Sequence, residues 1–385
     1  MSYQNPNIRQ VQNLSQKPLL SPPDNKLLII VIFLIVIGIM AIFSTTAQKA
    51  IEEGLNPASY VLKQLFFLGI GVFLMNYFVQ TDYKKLGKYV IPFAWGVVVL
   101  LLLVKYTPLG VVANGAKRWM QLGPIQFQPS ELAKIAVIGL LSRAFYKDSK
   151  LLSEEKLKYY VPIIVMMLII FLQPNLSMIM LIGITGAIMY LSCGGSFMLL
   201  FKMGLLACAP LPFLLHTYQI NRIKTWFNPE VDPQGLGYNV IQSKLAFAVG
   251  GIWGVGYGNS KQKLYWLPEA HTDFIFAIIA EEAGFLGCLL VIGLFCGLIH
   301  RGLIISSRCP DIFGKLLAAG ITTVLGVQAA LNMSVASSFL PATGVPLPFI
   351  SYGGTSLVVN MIMVGILLNI SRKRIKRINS IEQAR

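Results

Sequence analysis

Residues 27–43 read LLIIVIFLIVIGIMAIF, seventeen positions with no charge, amide or hydroxyl among them. As a helix rising about 1.5 Å per residue this block spans about 26 Å, close to the hydrocarbon thickness that about 20 apolar residues cross. Nine more apolar blocks follow, at roughly 60–79, 89–104, 131–146, 159–172, 176–192, 197–215, 274–299, 316–335 and 352–370. The spacing predicts an all-α integral membrane protein with ten transmembrane helices. Residues 1–26 form a polar N-terminal tail, 27–370 the helical domain and 371–385 a basic C-terminal tail. The tail 1–26 lacks an apolar core and a small-residue cleavage site, so it reads as a cytoplasmic tail and no signal peptide.

Composition agrees. Of 385 residues 55% are hydrophobic and only 12% charged, with a mean hydropathy of +0.66. Soluble domains carry about a quarter charged residues. That excludes a cytosolic enzyme, a disordered chain and a nucleic-acid binder, despite a formal net charge of +16. Five cysteines in and between apolar blocks make no disulfide framework.

The basic residues report orientation. With the N-terminus inside, 21 of the 30 Lys and Arg other than Lys63 and Lys134 fall on the inner side. Both termini are then cytoplasmic and the number of spans is even. The cluster Arg372–Arg377 reads as a stop-transfer and lipid anchor. Two outer loops stand out. One, 105–130, holds Asn114-Gly115-Ala116-Lys117-Arg118-Trp119; the other, 216–273, joins the seventh and eighth spans. Its apolar stretch Val240–Val255, interrupted by Gln242, Ser243 and Lys244, reads as a helix in the outer interface. Gly254-Val255-Gly256-Tyr257-Gly258 lacks the Lys-Ser/Thr of a phosphate loop and reads as a turn.

Ionisable groups within a bilayer are costly, about 2.5–3.5 kcal/mol each on insertion scales, and mark function by default. Here they are Lys63, Glu131, Lys134, Glu281 and Glu282, with Asp273 at the mouth of the eighth span, all in the outer half. Glu131 and Lys134 are three residues apart and share a helix face, so they can pair; a packing salt bridge is the plain alternative. Glu281 and Glu282 point about 100° apart and do not face one cavity centre. Asp before an apolar run is also a common helix N-cap. His216, His271 and His300 are not spaced with Cys or Glu as a metal site requires.

The run Gln262-Lys263-Leu264-Tyr265-Trp266-Leu267-Pro268-Glu269-Ala270-His271-Thr272-Asp273-Phe274 closely resembles the signature of the SEDS family of bacterial cell-wall proteins, the FtsW and RodA type. Four further blocks match in order: Gly115–Trp119, Gln128–Lys134, Asp232-Pro233 through Ser243, and Leu340–Ser356. The stretch Gly258–Leu264 with Glu269-Ala270 looks more like the division branch, FtsW, than the elongation branch. The family's Gln-Pro-Asp-Leu-Gly is Gln173-Pro174-Asn175-Leu176-Ser177 here, and Tyr265 stands where Glu is frequent.

The resemblance implies a peptidoglycan glycosyltransferase that polymerises lipid II at the outer face of the cytoplasmic membrane, in septal synthesis during cell division. It implies Asp273 as general base, with Lys63, Arg118, Glu131, Lys134, Lys263, His271 and Ser351 as substrate-binding residues. No cofactor is built in; a divalent cation, Mg or Mn, has room beside the substrate pyrophosphate. Implied partners are a class B penicillin-binding protein, other divisome proteins and membrane lipids, with no nucleic acid. Two other readings stand beside it, a lipid II flippase and a non-catalytic divisome scaffold. A flippase needs a polar path to the inner face, and the inner halves of the spans carry no comparable charge.

The orientation is testable. A cysteine placed at Gly235 is expected to react with an impermeant maleimide in intact cells; labelling only after permeabilisation would invert the topology.

Overall fold

The computed structural model describes residues 21–113, 116–123, 125–146, 154–208 and 217–372. Most of the N-terminal tail, Asn114-Gly115, Lys147, Lys150, the end of the seventh apolar block, His216 and the basic tail from Lys373 lie outside the described residues. A helix lies in each of the ten apolar blocks, in the seventh over its described part. They are α1 (Asn25–Glu52), α2 (Ser59–Gln80), α3 (Tyr83–Tyr106), α4 (Pro129–Ala144), α5 (Glu154–Leu172), α6 (Leu176–Ser192) and α7 (Phe197–Cys208). Two helices of the long loop follow, α8 (Thr217–Phe227) and α9 (Leu236–Gly250), then α10 (Ile275–Arg308), α11 (Ile312–Ala336) and α12 (Gly354–Arg372).

Among the described residues six helices (α1, α2, α3, α10, α11 and α12) are long and apolar enough to cross a membrane by themselves. α4 shows why hydropathy undercounts. It is buried at nearly every position, against α3, α5 and α11, so its surface meets protein and tolerates Glu131, Lys134 and Ser142. α12 is likewise central, with 83% of its apolar stretch buried against 17% for α2. The peripheral helices turn Phe33, Phe66 and Phe73 outward, which suits a hydrocarbon solvent. The result is an all-α multi-pass bundle.

Local chemistry sets the helix ends. Asp24, Asp82, Asn175 and Asp311 cap α1, α3, α6 and α11, each accepting from a backbone N–H of the first turn. Asn175, where the sequence departs from the family pattern, is thus a cap. Pro129 opens α4, where its missing N–H costs no helix bond.

The two described chain ends meet. Ser21 N–H donates to Arg372 O (2.9 Å), Asp24 N–H donates to Ser371 Oγ (3.0 Å), and Arg301 of α10 pairs with Asp24. The start of α1 and the end of α12 therefore share one face of the bundle. Asp273, Arg118 and the turns at 173–174 and 340–353 lie at the other end.

Both outer loops differ from expectation. The first contains a three-stranded antiparallel sheet, β1 (Gly110–Ala113), β2 (Ala116–Leu122) and β3 (Ile125–Phe127). On β2, Ala116 and Met120 are buried, and the register with β1 slips at Arg118, which stands unpaired between Lys117 (opposite Val112) and Trp119 (opposite Val111). In the second loop, α9 packs on α10 and α11 as part of the core. Its Ser243 is fully buried and donates to Ala336 O, and Phe247 meets Phe276 at 5.9 Å.

α10 is broken at Gly284, whose φ of 67° and ψ of −163° are non-helical. An unbroken helix would bond the N–H groups of Phe285 and Leu286 to the carbonyls of Glu281 and Glu282. Here Val255 and Gly256 donate to those carbonyls (2.9 and 3.0 Å), while Phe285 and Leu286 donate to Gly251 and Ile252 (2.9 and 3.3 Å). Two helix bonds become four, so no backbone group is stranded at membrane depth. A Cβ at position 284 would lie 2.4 Å from Gly254 N and Ile252 O, so only glycine fits. The glycine-rich turn beside it has positive φ at Gly254, Gly256 and Gly258.

Candidate functional site

Asp273 lies in a tight turn just before α10. Glu269 takes a left-handed backbone (φ 56°), and its carbonyl accepts from the N–H groups of Thr272 (3.1 Å) and Phe274 (3.3 Å). Asp273 is not the helix cap. That position belongs to Phe274, and no side chain caps α10. Among the described residues no hydrogen bond or ion pair reaches the Asp273 carboxylate. It is half-buried and faces Gly344, where an added Cβ would sit 3.5 Å from Oδ2. Loss of surrounding water pushes its pKa up to about 7; Glu269 adds to the rise, and Arg222 and Arg118 oppose it.

The turn is held from three sides. Asn332 Nδ2 donates to Asp273 O (2.9 Å) and to Val345 O (2.8 Å). Ser351 Oγ donates to Thr272 O (2.6 Å) and accepts from Leu347 N–H (2.8 Å). Tyr352 N–H donates to His271 O (2.9 Å). Gln328, one helical turn before Asn332, donates to Pro346 O (2.9 Å). Two amides on one face of α11 thus clamp the 345–346 segment, and Asn332 alone also reaches Asp273.

Beneath the clamp lies the buried pair. Lys134 Nζ is 2.7 Å from Glu131 Oε2 and donates to Gln328 Oε1 (2.8 Å); both charged residues are 1% exposed. Glu131 sits in the first turn of α4, where the helix dipole favours an anion. The pairing read from sequence is present. Its ammonium, however, is committed to two partners and acts on the Asp273 region through Gln328.

The remaining candidates divide. Arg118 reaches from β2 to the turn before α6, with Nε on Gln173 O (3.1 Å) and Nη2 on Pro174 O (2.5 Å). It lines a cavity of about 240 Å³ together with Arg222 of α8. Lys263 Nζ is bound to Glu282 (2.8 Å) and Ser44 (2.8 Å), with 8% of the side chain exposed. Lys63 is exposed on α2, with no ion pair among the described residues. His271 packs edge-on against Tyr60 and tilted against Tyr352, and it lines a second cavity of about 290 Å³ with Lys49 and Glu269. Burial and Lys49 lower its pKa, so the imidazole is neutral at pH 7. Ser351 is buried and spends its hydroxyl on the turn.

Glu281 and Glu282 do diverge. Glu281 accepts from Ser260 Oγ and from the N–H groups of Lys261 (2.9 Å) and Gln262 (3.3 Å), whereas Glu282 takes Ser44 and Lys263. Both anchor the segment that precedes the Asp273 turn. Gln328 is fully buried. Among the described residues no three His, Cys, Asp or Glu gather as a metal would require.

Sequence reasoning missed Gln328 and Asn332 as positioning groups, and Arg222 and Gly344 as neighbours of Asp273. The amides carried a signal, two hydrogen-bonding side chains four residues apart in an apolar helix. A search restricted to charges passes over them.

A family model described as Cell cycle protein, FtsW/RodA/SpoVE, matches residues 25–376. The chain is 36% identical over 356 residues to the probable peptidoglycan glycosyltransferase FtsW of Trichlorobacter lovleyi, covering 90% of this chain and 93% of that protein. It is 35% identical over 357 residues to the peptidoglycan glycosyltransferase MrdB of Escherichia coli K12, covering 91% and 94%. A solved structure described as the structural coordination of polymerization and crosslinking by a peptidoglycan synthase complex superposes with a TM-score of 0.75. It shares 28% identity and covers 92% of this chain and 99% of that one.

The buried pair generates a stability test. Lys134→Ala strands the Glu131 carboxylate and removes the donor to Gln328, a loss of about 3–5 kcal/mol. Melting temperature and yield in detergent are expected to fall, and Glu131→Leu with Lys134→Met to restore most of the loss. A single variant that melts like the parent would remove the pair from this role.

Proposed function

Because the chain belongs to the FtsW/RodA/SpoVE family and is a peptidoglycan glycosyltransferase, we propose that it polymerises lipid II with Asp273 as general base. The observation that carries this is an unpaired carboxylate, half-buried, with a pKa near 7 and two guanidiniums within its electrostatic reach. A base works best when its pKa lies near the working pH, and such a group supplies about 10²–10⁴-fold.

The reaction follows from that placement. The carboxylate takes the proton of an acceptor sugar 4-hydroxyl. That oxygen forms its bond to the anomeric carbon of the donor as the bond to the diphosphate oxygen breaks. One displacement inverts the α-linkage to a β-glycoside, and the polyprenyl diphosphate leaves with the electron pair. One base and a stabilised leaving group suffice, so the carboxylate pair of glycosidases is not needed. Fixed cations lower the energy of the charge gathered on the leaving group. Residues lining the arginine cavity do not fit a resident Mg or Mn, because guanidiniums repel a divalent cation. Such an ion would ride on the substrate, and no step here is routed through it.

We place the protein in the bacterial cytoplasmic membrane with ten crossings, α1–α7 and α10–α12. Both termini would be cytoplasmic and the Asp273 end outside. The meeting of the two described chain ends supports an even number. The septal role in division rests on the FtsW-like motifs. As partner we propose a class B penicillin-binding protein, in line with the synthase complex this chain superposes on. Its membrane helix suits the apolar groove of about 640 Å³ bordered by Phe247, Phe276, Phe285, Met333 and Phe339. Phe285→Asp is expected to abolish co-purification with the cognate transpeptidase; undiminished recovery would move the interface elsewhere on the bundle.

Asp273→Asn keeps the side-chain size and cannot accept the proton. Purified protein with lipid II is expected to make polymer from the wild type only, with kcat/KM rising as pH increases through about 7. Since the native pKa is raised from 3.8, the native state binds more protons than the unfolded chain between those values. The carboxylate therefore destabilises the fold increasingly up to pH 7 and fully above it. Asp273→Asn should melt at or above the wild type at pH 8, and the difference should vanish below about pH 4. Robust polymerisation by Asp273→Asn would sink the assignment.

A further inference from the structure

The outer end of α1 and the segment before Asp273 enclose the cavity of about 290 Å³ that His271 lines. α1 contributes Thr45, Gln48, Lys49 and Glu52, which recur every three to four residues and so share one helix face. The facing segment contributes Glu269 and His271. Gln48, Lys49, Glu52 and Glu269 are exposed, so the cavity opens at the end of the bundle where a polymer must leave. Gln48 Nε2 donates to Glu52 Oε1 (3.0 Å), and among the described residues neither side chain has another hydrogen-bond partner. Lys49 Nζ lies 5.6 Å from the centroid of the Tyr60 ring, and no ion pair reaches it among the described residues. The uncharged His271 ring is held between Tyr60 and Tyr352.

Charge decides what fits. The other ammonium lining this cavity, Lys263, is paired with Glu282. Two carboxylates, Glu52 and Glu269, then face the single ammonium of Lys49, a balance that disfavours a phosphate or diphosphate. A sugar hydroxyl both donates and accepts, and it suits a wall of amide, carboxylate and ammonium groups. The volume lies just below the roughly 300–1,000 Å³ of pockets that enclose a whole ligand. It suits one ring of a longer polymer.

Asp273 does not line this cavity, although Glu269 and His271 precede it in the same turn. The ring held there is therefore a neighbour of the reacting one. On an acceptor lipid II, the ring beside the one that bears the attacking hydroxyl carries the diphosphate. On the donor, the ring beyond the reacting sugar carries only more glycan, and it is uncharged. We infer that the cavity is a strand-holding subsite, which binds the N-acetylhexosamine ring following the reacting sugar of the growing glycan and keeps the strand on the enzyme between additions. Gln48, Lys49, Glu52 and Glu269 supply its hydrogen bonds, and the His271 ring supplies an apolar face for the pyranose. The inference rests on the glycosyltransferase reading and extends it from the reacting atoms to the product.

Two measurements test this. In the first, full-length Asp273→Asn protein in lipid nanodiscs is titrated with a tetramer of β-1,4-linked N-acetylglucosamine, alone and against inorganic diphosphate. The tetramer is expected to bind saturably, the double substitution Gln48→Ala with Glu52→Ala to weaken it at least fivefold, and diphosphate not to compete. In the second, the same double variant with Asp273 intact is given lipid II, and its strands are expected to be at least threefold shorter than those of the wild type on a sizing gel. Both side chains are exposed and bond each other, so their removal leaves the core intact. Gln48→Trp, which fills the cavity from the same exposed position, should reproduce both effects. No saturable binding of the tetramer, equal affinity in the parent and both variants, strands of unchanged length, or displacement of the tetramer by diphosphate would each overturn the subsite. Failure of the glycosyltransferase reading would show instead as no polymer from the wild type, with the tetramer affinities unaltered, so the two failures are separable.

Discussion

Asn332 donates from one amide to two carbonyls, Asp273 O and Val345 O, and Gln328 one turn earlier donates to Pro346 O. These bonds join α11 to the turn before α10 and to the segment before α12. They act beside the direct bonds from Ser351 to Thr272 O and from Tyr352 N–H to His271 O, and together these hold two stretches of irregular backbone against each other. Buried amides in a low-dielectric interior are costly when half-satisfied and rigidifying when satisfied. Gln328 is satisfied on its other side by Lys134, which Glu131 holds in turn. The chain from α4 through α11 to the Asp273 turn is therefore one polar network set in an apolar bundle.

The acidic groups at this end of the bundle follow one rule with one exception. Glu131 has Lys134, Glu282 has Lys263, and Glu281 has a hydroxyl and two backbone N–H groups. A buried ion pair adds little net stability, since desolvation offsets most of the attraction, but breaking one leaves a stranded charge. Such pairs fix geometry. Asp273 is left outside the rule. Among the described residues its carboxylate has no hydrogen-bond or ion-pair partner, and loss of surrounding water pushes its pKa up to about 7. A group that titrates near its working pH can take a proton and return it, which a well-paired carboxylate does poorly.

The break in α10 shows how the long segment between α7 and α10 becomes part of the machine. Gly284 releases two carbonyls and two N–H groups, and the glycine-rich turn 250–256 takes all four. That exchange fastens α9 and the segment after it to the first turns of α10. Glu281 then fixes residues 260–262 and Glu282 fixes Lys263. The residues preceding Asp273 are thus held at several points by the helix they lead into.

The apolar blocks determined where the long helices lie, because a bilayer demands long uncharged runs with internally satisfied backbone. The pairing of Glu131 with Lys134 was legible for a similar reason, since helical spacing puts them on one face. Asp273 was proposed from the family resemblance that the ordered motifs carry. Sequence spacing did not reveal that Lys263 pairs with Glu282, that Ser351 braces a turn, that Gln328 is buried, or that β1, β2 and β3 form a sheet. Nor did it bring Arg222 to Arg118, which are 104 positions apart in the chain. Local periodicity describes which face of an element a residue occupies. Which charges neutralise one another, and which are left to act, depends on contacts between elements far apart in sequence, and only the packed bundle decides those.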